Sequence, residues 1–201
     1  MKNKSVIDQS LFALSWPIFV EFLVFYLVQF TDGLFLSSIS DDASAGVLLL
    51  MPLTLVGMMF YSSLSGAGSN VVAQYLGGNR IDKVAPTYAV IFLTTLIIGA
   101  ITSGIYLFFS TPLINLLDFS SAMALHAEQY LSIVGGFSFI IALKFVYGAV
   151  LTSQGKTIYN MYTAIILCIM NIALNYMFVK GFWFITPMGT TGIALATVIS
   201  N

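Results

Sequence analysis

Charged side chains are scarce in this sequence. Only 7% of its 201 residues are Asp, Glu, Lys or Arg, whereas a typical soluble domain has about 25%. Apolar residues make up 59% of the chain, and the mean hydropathy is +0.97. This composition excludes a soluble globular domain and predicts an integral membrane protein with the lipid bilayer as its partner. The formal net charge of -1 gives no reason to expect a nucleic acid partner.

Cysteine and histidine are almost absent as well. Cys168 is the one cysteine, which excludes an internal disulfide and a cysteine-based metal cluster. His126 is the one histidine, so a histidine metal site is equally unexpected. The sequence also contains no nucleotide-binding pattern. We therefore predict neither an enzyme nor a bound metal or cofactor.

Long apolar runs dominate what remains. A helix needs roughly 20 apolar residues to cross the hydrocarbon core of a bilayer. Suitable runs lie near 11–36, 47–72, 87–109, 128–151 and 159–179, and a sixth begins near Gly189. They lack the alternating pattern of a membrane β-barrel. The sequence thus predicts an all-α polytopic helical bundle with five complete transmembrane helices and the start of a sixth.

Basic residues indicate how this bundle is oriented, because the cytoplasmic loops of membrane proteins are enriched in Lys and Arg. Five of the seven basic residues fall on one side of the predicted membrane: Lys2, Lys4, Arg80, Lys83 and Lys156. We therefore predict a multi-pass protein of the cell membrane with a cytoplasmic N-terminus. Lys144 lies within the fourth run, and we expect its long stem to carry the ammonium to the cytoplasmic headgroups.

The sixth run has only thirteen residues, from Gly189 to Asn201. A helix of this length covers about 20 Å, which is less than the thickness of a bilayer core. We therefore expect the sequence to end inside its sixth helix and to be the N-terminal portion of a longer protein.

Two acids stand in the otherwise apolar first run. Glu21 and Asp32 are eleven residues apart, about three helical turns, so they lie close to one line along the helix. Gln29 lies one turn before Asp32 on a neighbouring line. Ionisable groups inside a membrane usually mark ion or substrate pathways. The alternatives are a hydrogen bond to a neighbouring helix for Glu21 and exposure at the outer interface for Asp32.

Two asparagines in the fifth apolar run and one proline in the first could each have a functional or a purely structural role. Asn171 and Asn175 are four residues apart, so they project from the same helix face. Their amides either supply oxygens to a cation or hydrogen bonds to a carboxylate, or they join neighbouring helices. Pro17 is either a hinge of the kind that transporters use or one of the prolines that membrane helices commonly contain.

Several segments together resemble one transporter family. LSWPIFVEFL and QFTDGLFLS resemble the proline-containing start and the aspartate-containing end of the first helix of the multidrug and toxic compound extrusion (MATE) transporters. GAGSNVVAQYLGGNRIDKVA and ALKFVYGAVLTSQGKT are similar to the exits of the second and fourth helices of that family. MNIALNYMFV and TTGIALATVIS look like its fifth helix and the start of its sixth. The resemblance covers nearly the whole chain.

The resemblance implies both an architecture and a function. In that family a six-helix N-terminal lobe is paired with a related second lobe, and the protein exchanges drugs or metabolites for sodium or protons. Residues 1–201 would be the N-terminal lobe, truncated within helix six, with the C-terminal lobe absent. The chain would then be half of a cation-coupled multidrug efflux antiporter that moves small organic, cationic substrates by alternating access.

The resemblance also implies a site for the coupling ion. The expected cation-binding residues are Asp32, Asn171, Asn175 and Thr197, with Glu21 and Gln29 as an additional polar site and Pro17 as the hinge of the first helix. The family commonly has aspartate where this chain has Asn175. Because this site keeps one central acid, and because membrane burial disfavours the charged form of Asp32, we expect coupling to protons rather than sodium.

Two other functions are compatible with a helical membrane bundle. One is a flippase for lipid-linked precursors from a related branch of the superfamily, which would need several basic residues in its cavity to bind diphosphate. Only Lys144 is available within the predicted spans. The other is a membrane scaffold that transports nothing.

Overall fold

A computed structural model describes residues 10–201. Lys2 and Lys4, on which the predicted orientation partly depends, lie outside the described residues. The helices are α1 (Leu11–Ser37), α2 (Asp41–Leu48), α3 (Met51–Gly77), α4 (Val84–Asn115), α5 (Ser121–Tyr130), α6 (Ser138–Ser153), α7 (Thr157–Lys180) and α8 (Gly189–Ser200). Over residues 10–201 the only β pairing is an isolated bridge between Phe182 and Ile185. The predicted all-α fold is confirmed.

The described helices provide four clear candidates for membrane spans. They are α1, the segment Asp41–Gly77 that joins α2 to α3, the segment Ile81–Asn115 that contains α4, and α7. A fifth candidate consists of Ser121–Gly135 and Ser138–Ser153, which meet at an angle of 48°. The run that the sequence places near 128–151 is therefore a bent pair of helices. The last helix, α8, is a shorter apolar helix.

Two further helices, α2 and α5, begin in the segments between the predicted apolar runs, where the hydropathy did not predict a helix. Ser40 and Ser120 cap the starts of α2 and α5, where each hydroxyl accepts a hydrogen bond from a backbone N–H of the first turn. Helix α4 continues past an irregular residue, Phe109 (φ -121°, ψ 18°), with Pro112 three residues later. A proline in the first turn of the resumed helix removes no intrahelical hydrogen bond.

Helices α1 and α7 run parallel and side by side. Thr157 Oγ1 donates a hydrogen bond to the Leu14 carbonyl at 3.1 Å, and Asn175 Nδ2 donates one to Asp32 at 2.5 Å. Both pairs are separated by 143 residues in sequence, so the two helices keep one register over most of their length. We call the end of the bundle where α1 and α7 begin the Lys156 end, and the opposite end the Lys180 end.

Helices α4 and α6 approach each other closely at a glycine. A Cβ atom on Gly99 would lie 2.8 Å from the Ala142 Cβ and 3.1 Å from the Phe139 Cα. Ser103, one turn further along α4, accepts a hydrogen bond from the Phe139 backbone N–H at 3.0 Å. The backbones of the two helices therefore touch at a point where only a glycine fits.

Replacing Gly99 with valine is expected to destabilise the bundle by about 1–3 kcal/mol, the usual cost of overpacking a close contact. Gly104→Val is the matched control, because a Cβ at Gly104 on the same helix meets no atom within 4 Å. Thermal unfolding of the two purified variants measures the difference. Equal losses of stability in the two variants would contradict the close contact.

Candidate cation-binding site

Asp32 is one of very few buried residues on α1. Its side chain is 3% exposed, and the other buried residues of this helix are Pro17 and Leu36. Most of the remaining α1 side chains are apolar and exposed, as expected of a helix that faces lipid or protein outside this chain. Asp32 therefore points into the bundle, and the alternative of an acid exposed at the membrane interface is wrong.

Two amides of α7 adjoin this carboxylate. Asn175 is fully buried and Asn171 is 1% exposed. The Asn175 Nδ2 donates to Asp32 Oδ1 at 2.5 Å and to Asn171 Oδ1 at 3.1 Å. The spacing of four residues thus brings both amides to the α1 side of α7, where one of them contacts the acid directly.

Helix α8 is the third helix, after α1 and α7, that contributes a residue to the site. The Thr197 hydroxyl lies 3.4 Å from Asp32 Oδ2 and 2.9 Å from the carbonyl oxygen of Ile193, and its one proton is donated to one of them at a time. Both carboxylate oxygens of Asp32 therefore lie within hydrogen-bond distance of a neutral donor from another helix. The structure brings together all four residues of the predicted site, Asp32, Asn171, Asn175 and Thr197; their role as ligands of a cation stays a prediction.

Two polar atoms beside Asp32 are buried without a hydrogen-bond partner among the described residues. They are Asn171 Nδ2 and Asn175 Oδ1. Buried polar atoms in native proteins are nearly always paired, so each unpaired atom needs an explanation. The Asp32 carboxylate and the Thr197 hydroxyl are the kind of ligand that a small hard cation takes. Across residues 10–201, no three His, Cys, Asp or Glu side chains lie close enough together to bind one metal ion.

Tyr130 is a residue of this site that the sequence did not indicate. It is the last residue of α5, and its side chain lies beside Asp32 and Thr197. It packs against the apolar clusters around Tyr61 and Leu36. A π-helical turn, Leu131–Gly135, follows it directly, and such turns are frequent at functional sites. Nothing in the linear sequence distinguishes this tyrosine from the other nine.

The other predicted polar residues of α1 lie outside this group. Glu21 and Gln29 are half-buried, and neither contacts Asp32 through a hydrogen bond. No hydrogen bond joins Glu21 to another described residue, and whether it serves a substrate path or bonds to a neighbouring helix stays open. Pro17 is buried inside an α1 that is continuous from Leu11 to Ser37. Its role as a hinge stays a prediction.

Lys144 points into the bundle, and the prediction that it extends to the cytoplasmic headgroups was wrong. Its Nζ donates to Asn201 Oδ1 at 2.8 Å, and Asn201 Nδ2 donates to the Thr197 carbonyl at 2.6 Å. Side chains of a helix lean towards its N-terminus, and the N-terminus of α6 is the end away from Lys156. A chain of contacts therefore leads from Lys144 to Thr197, which borders Asp32.

Comparison with known proteins identifies the family. The MatE family model matches residues 17–177, which is most of the chain. The chain belongs to the MATE family of multidrug efflux transporters. The resemblance of the sequence segments to this family is thereby confirmed.

Relatives and solved structures of this family match the chain over most of its length. The uncharacterized transporter YisQ of Bacillus subtilis is 30% identical over 192 residues, which are 96% of this chain and 42% of YisQ. The probable multidrug resistance protein NorM of Thermotoga maritima is 26% identical and is also covered to 42%. A MOP superfamily transporter from Pyrococcus furiosus has the same fold, with a TM-score of 0.85 and 22% identity over 94% of this chain and 41% of that one. The chain thus spans about two fifths of these MATE proteins.

Proposed function

We propose that the complete protein containing this chain is a cation-coupled exporter of small organic, cationic molecules. This chain is its N-terminal lobe, and a second lobe faces it across the substrate path. The protein lies in the cell membrane with the Lys156 end on the cytoplasmic side, and the loops that carry Arg80, Lys83 and Lys156 are at this end. The family membership and the length of the relatives support this arrangement.

The observation that carries the proposal is a single buried acid held by neutral groups from two other helices. An ionised carboxylate at membrane depth is costly unless a cation neutralises it. Asp32 lies within hydrogen-bond distance of Asn175 and Thr197, and no cationic side chain among residues 10–201 forms an ion pair with it. Uptake of a cation therefore changes how strongly α1 is held by α7 and α8. The coupling between ion and substrate cannot exceed the differential affinity of that ion for the two conformations.

Protons are the better candidate for the coupling ion. Asn175 presents an N–H to Asp32 and turns its own oxygen away from the hydrogen bond. A sodium ion would be left with one formal negative charge and few oxygens on its side of the site. A proton needs only one carboxylate oxygen. In this mechanism Asp32 carries the proton, Asn175 orients the carboxylate and is itself held by Asn171. Thr197 connects the carboxylate to α8, and α1 bends at Pro17.

The test is transport by the complete protein in proteoliposomes under imposed gradients, with ethidium as the cationic probe. A proton gradient is expected to drive ethidium movement, and a sodium gradient of equal size is expected to have no effect. Transport driven by sodium alone would reject the proton as coupling ion. The absence of any gradient-dependent movement would reject the exporter and favour a scaffold.

A further inference from the structure

A groove on the surface of the bundle runs along the last turns of α1, at the Lys180 end. Its volume is about 240 Å³. It is lined by one residue of α7 and four residues of α1: Lys180, Thr31, Leu34, Phe35 and Ser38. The four α1 residues follow the spacing i, i+3, i+4 and i+7, so they share one face of the helix. At 1.5 Å per residue they extend about 10 Å along it.

The walls of this groove are apolar apart from the Lys180 ammonium. The Thr31 hydroxyl donates a hydrogen bond to the Val28 carbonyl at 2.9 Å, and the Ser38 hydroxyl donates one to the Phe35 carbonyl at 2.7 Å. Both hydroxyl protons are therefore used within α1. Lys180 forms no ion pair with an acid among residues 10–201. The groove thus combines an apolar surface with one positive charge that no described acid neutralises.

The position of Lys180 in the bundle is that of a lipid headgroup. Lys180 is the last residue of α7, and the register of 143 residues places it beside Ser37, the last residue of α1. The 24 residues of α7 extend about 36 Å, which exceeds the thickness of the hydrocarbon core. The groove runs from Lys180 along α1, a candidate membrane span. It is therefore oriented as a lipid is, with its charge at the surface and its apolar part in the hydrocarbon.

An aromatic turn directly after α7 lies at the same level. Phe182 and Ile185 exchange backbone hydrogen bonds of 3.1 and 2.9 Å, so the two residues between them form the tip of a tight turn. These residues are Trp183 and Phe184, whose rings stack 5.6 Å apart and which are 86% and 89% exposed. Tryptophan is enriched where a membrane meets water. The turn therefore supports a position of Lys180 in the headgroup layer.

Lys180 is also the one basic residue at this end of the described bundle. The loops that carry the other exposed basic residues are at the Lys156 end. The remaining charged residues of the Lys180 end are acidic: Asp41, Asp42, Asp118 and Glu128. Acidic side chains repel an anionic headgroup, whereas a lysine near the membrane surface attracts it. At this end an anionic lipid is therefore attracted only at the groove.

We propose that this groove binds one anionic phospholipid, whose phosphate contacts the Lys180 ammonium and whose acyl chain lies against Leu34 and Phe35. The apolar walls favour a molecule with a hydrocarbon chain over a free anion, and the charge favours an anionic headgroup over a zwitterionic one. A lipid in this groove connects the end of α7 to the last turns of α1. The inference requires only that these two helices span a membrane, so it is independent of the proposed export and ion coupling.

Photo-crosslinking in vesicles tests this site locally. The photoreactive residue benzoylphenylalanine replaces Leu34, which is exposed in the groove, in the complete protein. In a second protein it replaces Phe108, an exposed residue of α4 at the same end of the bundle. The vesicles contain phosphatidylglycerol and phosphatidylcholine in equal parts, and mass spectrometry counts each crosslinked lipid. The ratio of phosphatidylglycerol to phosphatidylcholine is expected to be about fivefold higher at Leu34 than at Phe108, the effect of one lysine on anionic lipid.

Substitutions of Lys180 separate its charge from its size. Lys180→Gln should reduce the lipid ratio at Leu34 to the ratio at Phe108, whereas Lys180→Arg keeps the charge and should retain the enrichment. Lys83→Gln removes a lysine at the opposite end and should change neither ratio. Excess glycerol phosphate, an anionic phosphate without acyl chains, should leave the enrichment unchanged. If the protein labelled at Leu34 does not fold, Ser38 takes the label, because it is exposed and lines the same groove.

The proposal is overturned by equal lipid ratios at the two labelled positions, by an enrichment that persists in Lys180→Gln, or by loss of the enrichment in glycerol phosphate. A crosslink from the groove to the second lobe would also overturn it, because protein rather than lipid would then cover the groove. No substrate and no ion gradient enter this measurement. Its failure is therefore distinguishable from a failure of the proposed export, which the ethidium transport experiment reports.

Discussion

Asp32→Asn is expected to reduce gradient-driven ethidium transport by the complete protein to the level of vesicles without protein. Asparagine has nearly the size of aspartate, and its oxygen still accepts the hydrogen bond from Asn175. It cannot take up a proton, and it offers no negative charge to a cation. The packing of α1 against α7 is thus retained while the coupling chemistry is removed. Proteoliposome transport at matched protein content measures the effect.

Asp82→Asn is the matched control for this variant. It makes the same chemical change at an acid whose side chain is 70% exposed and pairs with Lys83 in the loop before α4. Transport by this variant should equal that of the unaltered protein. Proton-driven transport that persists in Asp32→Asn would show that the acid serves packing and not coupling.

Asn175→Asp is expected to create sodium binding at a site that we propose to bind protons. A second carboxylate would stand beside Asp32, because the Asn175 amide is already 2.5 Å from it. Two adjacent carboxylates repel each other unless a cation or a proton lies between them. Sodium at ten times its Kd would then stabilise the variant by about 1.4 kcal/mol. Thermal unfolding in sodium and in potassium at equal ionic strength measures this gain.

Asn175→Ala is the control that separates the effect of the added carboxylate in Asn175→Asp from the effect of losing the amide. It removes the same hydrogen bond to Asp32 without adding an acid, so it should show no sodium-dependent stabilisation. A rise in unfolding temperature with sodium in the alanine variant, or in the unaltered protein, would mean that Asp32 alone is sufficient to bind the ion. The preference for protons would then have to be abandoned.

The sequence predicted the parts of this fold and site that depend on apolar length and helical spacing. The runs near 11–36 and 159–179 match α1 and α7 within a few residues. Glu21 and Asp32 were identified because an acid in a membrane span is costly. Asn171 and Asn175 were identified because a spacing of four residues places both side chains on one face of a helix. The likeness to the MATE family added Thr197, for which no physical signal was available.

The residues that the sequence misplaced depend on side-chain direction and tertiary packing. Tyr130 lies near Asp32 at the end of α5, directly before a π-helical turn, and neither feature is visible in the linear sequence. Lys144 was expected at the membrane surface, because long cationic side chains often extend there. Its ammonium does not reach the surface at the Lys156 end, because the side chains of α6 lean towards the opposite end of the bundle. Helices α2 and α5 begin at serine caps in segments of low hydropathy, so apolar runs did not reveal them.

The two hydrogen bonds that join α1 to α7 have a mechanical consequence. Thr157 holds the Leu14 carbonyl just before Pro17, and Asn175 holds Asp32 fifteen residues after it. If α1 bends at Pro17, α7 holds it on both sides of the bend. One contact is three residues before Pro17, and the other is near the opposite end of the helix. The hydrogen bond between Thr157 and Leu14 joins two uncharged groups, so binding of an ion does not alter its charge. If α1 bends at Pro17 as we propose, protonation of Asp32 would change the strength of the contact that holds the long part of the helix against α7.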